Sequence, residues 1–214
     1  MSHTTRNIIL ILGDQLDEFA TVLNHFDPTQ DKIWMAEVLE ESTHVMSSKQ
    51  RTTFFLSAMR HFATQLKNKG WPVIYSQLDD ENNSGSLAGE LEKAIQAYQP
   101  KSLRMTAPGD FRVLQNLRAV AHQFQIPLEI LDDASFFSTV RDFKQHIQGR
   151  KQIRLEYFYR ELRQKTGVLM DGKKPIGGKW NFDSENRSSF GKQGPGVIPA
   201  PSRFAPDSIT LEVI

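Results

Sequence analysis

A chain of 214 residues, 39% apolar and 24% charged, has the balance of one ordinary globular domain with a tail, and it holds no apolar run near the roughly 18 residues of a membrane-spanning helix. A formal net charge of +1 excludes a uniformly basic or acidic protein, and the absence of cysteine excludes disulfides, thiol nucleophiles and any iron–sulfur cluster held by the chain's own thiolates. The first six residues lead into a strand-like run without a signal-peptide pattern, so a cytoplasmic location is expected.

Asn7-Ile-Ile-Leu-Ile-Leu12 is a continuous apolar run closed by Gly13, the pattern of a strand covered on both faces in a parallel sheet. Further strands are predicted at Ile33–Val38, Pro72–Ser76, Ser102–Thr106 and Pro127–Leu131. Between them lie helical patterns. The clearest runs from Lys49 to Lys69, with Phe55, Met59, Phe62 and Leu66 on one face and Gly70 ending it; Ser86–Tyr98 and Arg112–Phe124 carry similar stripes. Such alternation predicts an α/β fold, a doubly wound, mostly parallel, Rossmann-like sheet of five strands over residues 1–135. Asp80 to Gly85 reads as an exposed loop.

Residues 136–166 are expected to form basic hinge helices, with Leu155, Phe158 and Leu162 as an apolar stripe. From 141 to 187 there are twelve Lys or Arg against six Asp or Glu, a local +6 that leaves the remainder near −5. This is a solvated face or a surface that meets nucleic acid or an acidic neighbour. Residues 167–214 should be an ordered strap with little regular structure, since seven of thirteen glycines and five of ten prolines fall between Gly167 and Pro206. Exposed connectors rarely carry large aromatic residues, so Trp180 and Phe182 are expected to be buried against the sheet domain or its hinge helix. Pro206-Asp207-Ser208 starts a helix whose amphipathic turn is only begun at Ile214, as in a chain cut inside an element.

Ligands of a doubly wound sheet bind at the carboxyl ends of its strands, where Gly13 permits close approach and Asp14 offers hydrogen-bond acceptors or caps a following helix. The dinucleotide fingerprint and the phosphate loop are both missing, which disfavours NAD and ATP. The second strand runs into Glu37, Glu40 and Glu41, three acids at the same edge. The histidines, His3, His25, His44, His61, His122 and His146, show no metal-ligand register, and no metal is expected. The acid pairs Glu40-Glu41 and Asp132-Asp133 read as solvated loop residues rather than acid/base catalysts.

Four separated motifs carry a resemblance: Leu12-Gly-Asp-Gln-Leu16, Ser57-Ala-Met-Arg-His-Phe62, Arg154-Leu-Glu-Tyr-Phe-Tyr-Arg160 and the segment Gly167 to Arg187 with its Gly-Gly-Lys-Trp-Asn-Phe core. In this order they resemble the amino-terminal part of bacterial photolyase-related proteins, the iron–sulfur branch of the cryptochrome/photolyase family. The resemblance implies a light-harvesting domain that binds the antenna 6,7-dimethyl-8-ribityllumazine, followed in complete members by a helical domain with FAD, an iron–sulfur cluster and the DNA-lesion site. It implies a pocket with Asp14, Ala36, Glu41 and His44, where Asp14 or Glu41 accepts a ring N–H, Gly13 forms the floor and Phe55 closes one wall. Members often carry an aromatic residue in place of His44, His-His in place of Ser47-Ser48 and Glu-Trp in place of Asp110-Phe111. Lacking the FAD domain, the chain is not expected to repair DNA alone, and DNA would meet it through that domain or weakly through 141–187. The alternatives are a stand-alone Rossmann-like flavin- or nucleotide-binding domain and a nucleic-acid-binding module.

Overall fold

The computed structural model describes residues 5–183, 187 and 189–214. The chain divides into two compact units, one reaching to Ser135 and joined by Pro206–Ile214, the other spanning Phe136–Ala205. Residues 206–214, expected as the end of the strap, thus group with the sheet.

Five strands form the first unit's sheet: β1 (Asn7–Leu10), β2 (Lys32–Ala36), β3 (Val73–Ser76), β4 (Ser102–Thr106) and β5 (Leu128–Leu131). They lie in the order β3-β2-β1-β4-β5 and every pair is parallel, which is the doubly wound α/β architecture. Because side chains alternate along a strand, Ile8, Leu10 and Trp34 enter one core layer while Ile9, Ile33 and Met35 enter the other. All six are fully buried, so β1 and β2 read as continuous apolar runs.

Each layer is completed by helices whose stripes match the sheet. α1 (Leu39–Thr43) is a short turn after β2, and α2 (Lys49–Asn68) lays Met59, Phe62, Ala63 and Leu66 onto the Ile9 face. Its start is fixed by the Ser48 hydroxyl, which accepts the Arg51 N–H at 3.2 Å, and Gly70, at φ 76°, turns the chain out of it. On the opposite face α3 (Leu87–Tyr98) and α4 (Phe111–Gln123) supply Leu91, Ile95, Val113 and Leu117. The stripe on α2 is core as its spacing predicts, except Phe55, which is only half-buried near the helix start.

Two polar contacts fix the unit's edges. Glu37, immediately after β2, is 1% exposed, and its carboxylate receives the Arg60 guanidinium in a bidentate pair at 2.8 and 2.9 Å, the Tyr75 hydroxyl at 2.5 Å and the Leu78 N–H at 2.9 Å. Burial, then the bond to Glu37, push the Tyr75 phenol well above its ordinary range, so it stays a donor. The Asn83 amide donates to the Glu37 carbonyl at 2.8 Å, so the 80–85 loop is anchored at this point. The second contact involves α7 (Ser208–Val213), which packs on α2: His61 lies 2.8 Å through Nδ1 from the Ser57 carbonyl and 2.6 Å through Nε2 from Asp207.

The second unit holds α5 (Val140–Ile147), α6 (Leu155–Thr166) and a small hairpin of β6 (Met170–Asp171) and β7 (Lys174–Pro175). A capping box starts α5, Thr139 and Asp142 each taking the other's backbone N–H, and α6 stops at Gly167, φ 74°. The expected stripe is partial, for Phe158 and Leu162 are half-buried but Leu155 is 68% exposed. The burial expected of Trp180 and Phe182 needs correction. Trp180 is half-buried, its ring 5.6 and 5.3 Å from the Arg160 and Arg163 guanidiniums of α6, and Phe182 is 42% exposed over Gly177. A ring held through its face by a cation needs only that face covered.

Two outcomes follow from these edges. Glu37→Gln leaves the Arg60 guanidinium with only the exposed Asp79 carboxylate, 3.2 Å from Nη2, as a counter-charge and should cost about 3–5 kcal/mol in urea unfolding; a loss under about 1 kcal/mol, the range of an exposed pair, would show that the pair is solvated. The Ser57 carbonyl and then Asp207 raise the His61 pKa above its ordinary value near 6.5. A raised folded-state pKa stabilises below the unfolded value and is lost as pH rises through the folded one. NMR titration of His61 should therefore give a midpoint above about 6.5, with amide protection of α7 falling through it and no such fall in His61→Gln.

Candidate ligand cavity at the switch point of the sheet

From β1 the chain crosses to β2 and β3 on one side, then returns to β4 on the other, so the segments after β1 and β4 diverge and leave a crevice between them. Gln15 spans it: its Nε2 donates to the Ala107 carbonyl at 3.1 Å, tying the Leu12–Leu16 motif to the loop after β4. Beside this tie lies a cavity of about 310 Å³.

All six residues singled out from the sequence, Gly13, Asp14, Ala36, Glu41, His44 and Phe55, line this cavity. Ala36 is buried, Gly13 and Phe55 are half-buried, and Asp14, Glu41 and His44 are exposed. A Cβ at Gly13 would come within 2.8 Å of the Met59 sulfur, so glycine lets β1's end lie directly on α2. Asp14 sits in a turn and accepts no hydrogen bond from the described residues, and the next helical turn, a short 3-10 stretch at Thr21–Leu23, starts from Ala20, which removes the capping role considered for Asp14. His44 closes α1, its backbone N–H donating to the Glu40 carbonyl at 2.9 Å.

The sequence did not reveal what the acids of this edge are bonded to. Glu37 turns inward to Arg60, and each of its oxygens already accepts two hydrogen bonds. Glu40 and Glu41 belong to α1 and meet Arg112 of α4, Nη1 donating to Glu40 at 3.1 Å and Nη2 to Glu41 at 2.8 Å; Nη2 also lies 3.4 Å from Asp110. Asp110 caps α4 by accepting the Arg112 N–H at 2.7 Å, and that bond first, then the guanidinium charge, hold its carboxyl below the usual range. Arg51 completes the charges, its guanidinium 5.5 Å from the Phe55 ring. Both arginines are visible in the sequence, but pairs separated by 71 and 72 positions leave no local signal.

In the second unit a cavity of about 590 Å³ lies between α6 and the strap, with Tyr159, Arg163, Trp180 and Phe182 among its walls. Much of the positive charge counted there is spent locally. Arg150 pairs with Glu161 at 2.9 Å, Lys165 with Asp142 at 3.1 Å, Arg160 with Glu156, and Arg163 donates to the Leu169 carbonyl. No helix among the described residues is long and apolar enough to cross a membrane.

A family model described as deoxyribodipyrimidine photo-lyase-related protein matches residues 9–214. Over 208 residues the chain is 43% identical to a (6-4) photolyase of Agrobacterium fabrum, an alignment covering 97% of this chain and 40% of that relative. Over 196 residues it is 26% identical to an uncharacterized protein of Acanthamoeba polyphaga mimivirus, covering 86% of this chain and 95% of that one. The chain therefore spans less than half the length of the bacterial relative. With the model match extending from β1 to the carboxyl-terminal residue, the chain belongs to the deoxyribodipyrimidine photo-lyase-related protein family.

Proposed function

We propose that the sheet unit is an antenna module that holds a lumazine, of the 6,7-dimethyl-8-ribityllumazine type, in the cavity beside Gly13. The observation that carries this reading is the convergence of Gly13, Asp14, Ala36, Glu41, His44 and Phe55 on one cavity at the switch point. A volume of about 310 Å³ lies at the small end of ligand pockets, which run from roughly 300 to 1,000 Å³, and suits a bicyclic ring with a short polyol rather than a dinucleotide.

The donor set supports the same ligand class. Asp14 carries a carboxylate with no described partner, and Glu41 commits one oxygen to Arg112 while the other accepts nothing from the described residues. Two open acceptors suit a pyrimidine-dione N–H and ribityl hydroxyls. Phe55 supplies an aromatic wall, and Arg51 over its ring restrains it. When bound, such a ring would absorb near-ultraviolet or blue light and pass the excitation on. In a longer protein the acceptor would be FAD, with DNA photorepair or photoreception as the outcome; an iron–sulfur cluster bound by cysteine would lie outside this cysteine-free segment.

Removing an acceptor from a buried ligand hydrogen bond costs on the order of 1–3 kcal/mol, so Asp14→Ala and Glu41→Ala should each weaken lumazine binding roughly ten- to a hundredfold. Fluorescence titration measures the affinity, and circular dichroism verifies that each variant is folded. Wild-type affinity in both variants would move the site elsewhere.

A further inference from the structure

We propose that the cavity discriminates against phosphate esters, taking a heteroaromatic ring with an uncharged hydroxyl chain and rejecting the same molecule once phosphorylated, with Asp110 as the residue that sets this preference. The inference rests on the ring-binding reading above and adds the class of ligand that the site excludes.

A fold of this kind has two ready receptors for a phosphate: a helix amino terminus facing the crevice and an arginine fork. Both are present, and both are already neutralised from within. The thirteen-residue helix α4 begins at the cavity, where Asp110, Arg112 and Val113 are among the lining residues. Its first free N–H groups meet the protein's own anion, since the Asp110 carboxylate accepts the Arg112 N–H at 2.7 Å. The backbone bond and the neighbouring guanidinium hold Asp110 below the usual carboxylate range, so it stays charged at neutral pH.

The Arg112 fork is likewise committed. Nη1 and Nη2 donate to Glu40 and Glu41, Nη2 also faces Asp110, and Nε is shielded from solvent with no partner among the described residues. Asp14 adds its carboxylate to those of Glu41 and Asp110 in the lining of the same cavity. Against Asp14, Glu41 and Asp110 of the lining, and Glu40, which pairs with Arg112 outside it, stand Arg112 and Arg51, a local balance of −2 with His44 counted as neutral, because Glu37 and Arg60 cancel each other. Carboxylates receive hydroxyl and ring N–H donors well, but a phosphate monoester brings about −1.5 to −2 of further charge and no donor to spare at neutral pH.

The test is a matched pair of probes, the ribityl-lumazine and its 5′-phosphate ester, titrated by fluorescence against the folded 214-residue chain at low and high ionic strength. The ester should bind at least about tenfold more weakly at low salt, with the gap narrowing as salt screens the rim. Asp110→Asn keeps a capping oxygen on α4 while removing the charge, and should shrink the affinity ratio at least about threefold. That ratio is insensitive to a uniform loss of binding. An ester that binds as well as or better than the free alcohol overturns the selectivity while leaving ring binding in place, and an unchanged ratio in Asp110→Asn overturns the role of that residue. Folded wild-type protein that binds neither probe overturns the ring-binding reading and this inference with it.

Discussion

The buried pair between Glu37 and Arg60 is the constraint on which the sheet unit depends. It joins the end of β2 to the middle of α2, with both side chains almost wholly excluded from solvent. Such a pair repays its desolvation only when its remaining polar sites find partners, and here Tyr75 and Leu78 take those of the Glu37 carboxylate while Asp79 accepts from Arg60 Nη2. The consequence reaches the cavity. Ala36 and Val38 flank this residue and face the opposite layer, and Met59, the neighbour of Arg60, lies beneath Gly13. Fixing Glu37 therefore fixes two walls at once.

Charge divides the same edge into two regimes. Glu37 is enclosed and saturated, whereas Glu40, Glu41 and Asp110 gather round the partly exposed Arg112, linking the short helix α1 to the start of α4. Pairs of that exposure contribute little to stability, so their arrangement bears more on what the crevice accepts than on folding. A ligand entering here meets acceptors already held in place on one side and the Phe55 ring on another.

The sheet was legible because both its faces are covered: Ile8 to Leu12 and Ile33 to Ala36 are apolar without interruption, and α2 carries its buried stripe through Met59, Phe62, Ala63 and Leu66. The stripe predicted burial for Phe55 as well, but that residue sits where α2 leaves the sheet for the cavity. α1 was missed because five residues carry no periodicity, and the hinge helices expected over 136–166 are interrupted after Ile147, where Gly149 takes φ 73° and the chain stays non-helical until α6 starts at Leu155. Of the cavity, Gly13 and Asp14 follow from the position of strand ends, whereas Ala36, Glu41, His44 and Phe55 were placed by motif resemblance. The Arg112 cluster escaped both routes, because contacts across some seventy residues are set by the crossover of the sheet rather than by any local pattern. Trp180 was misjudged for a different reason: residue type alone gives apolar area, and the ring is contacted by the guanidiniums of Arg160 and Arg163 on α6 while staying only half-buried.

The most direct test of the account is a crystal structure of this chain grown with ribityl-lumazine. The account predicts ring density at the carboxyl end of β1, over Gly13 and against Phe55, with its pyrimidine-dione N–H directed at Asp14 or Glu41. Density for the ring in the cavity of the second unit beside Trp180, with the crevice at Gly13 empty, would contradict it.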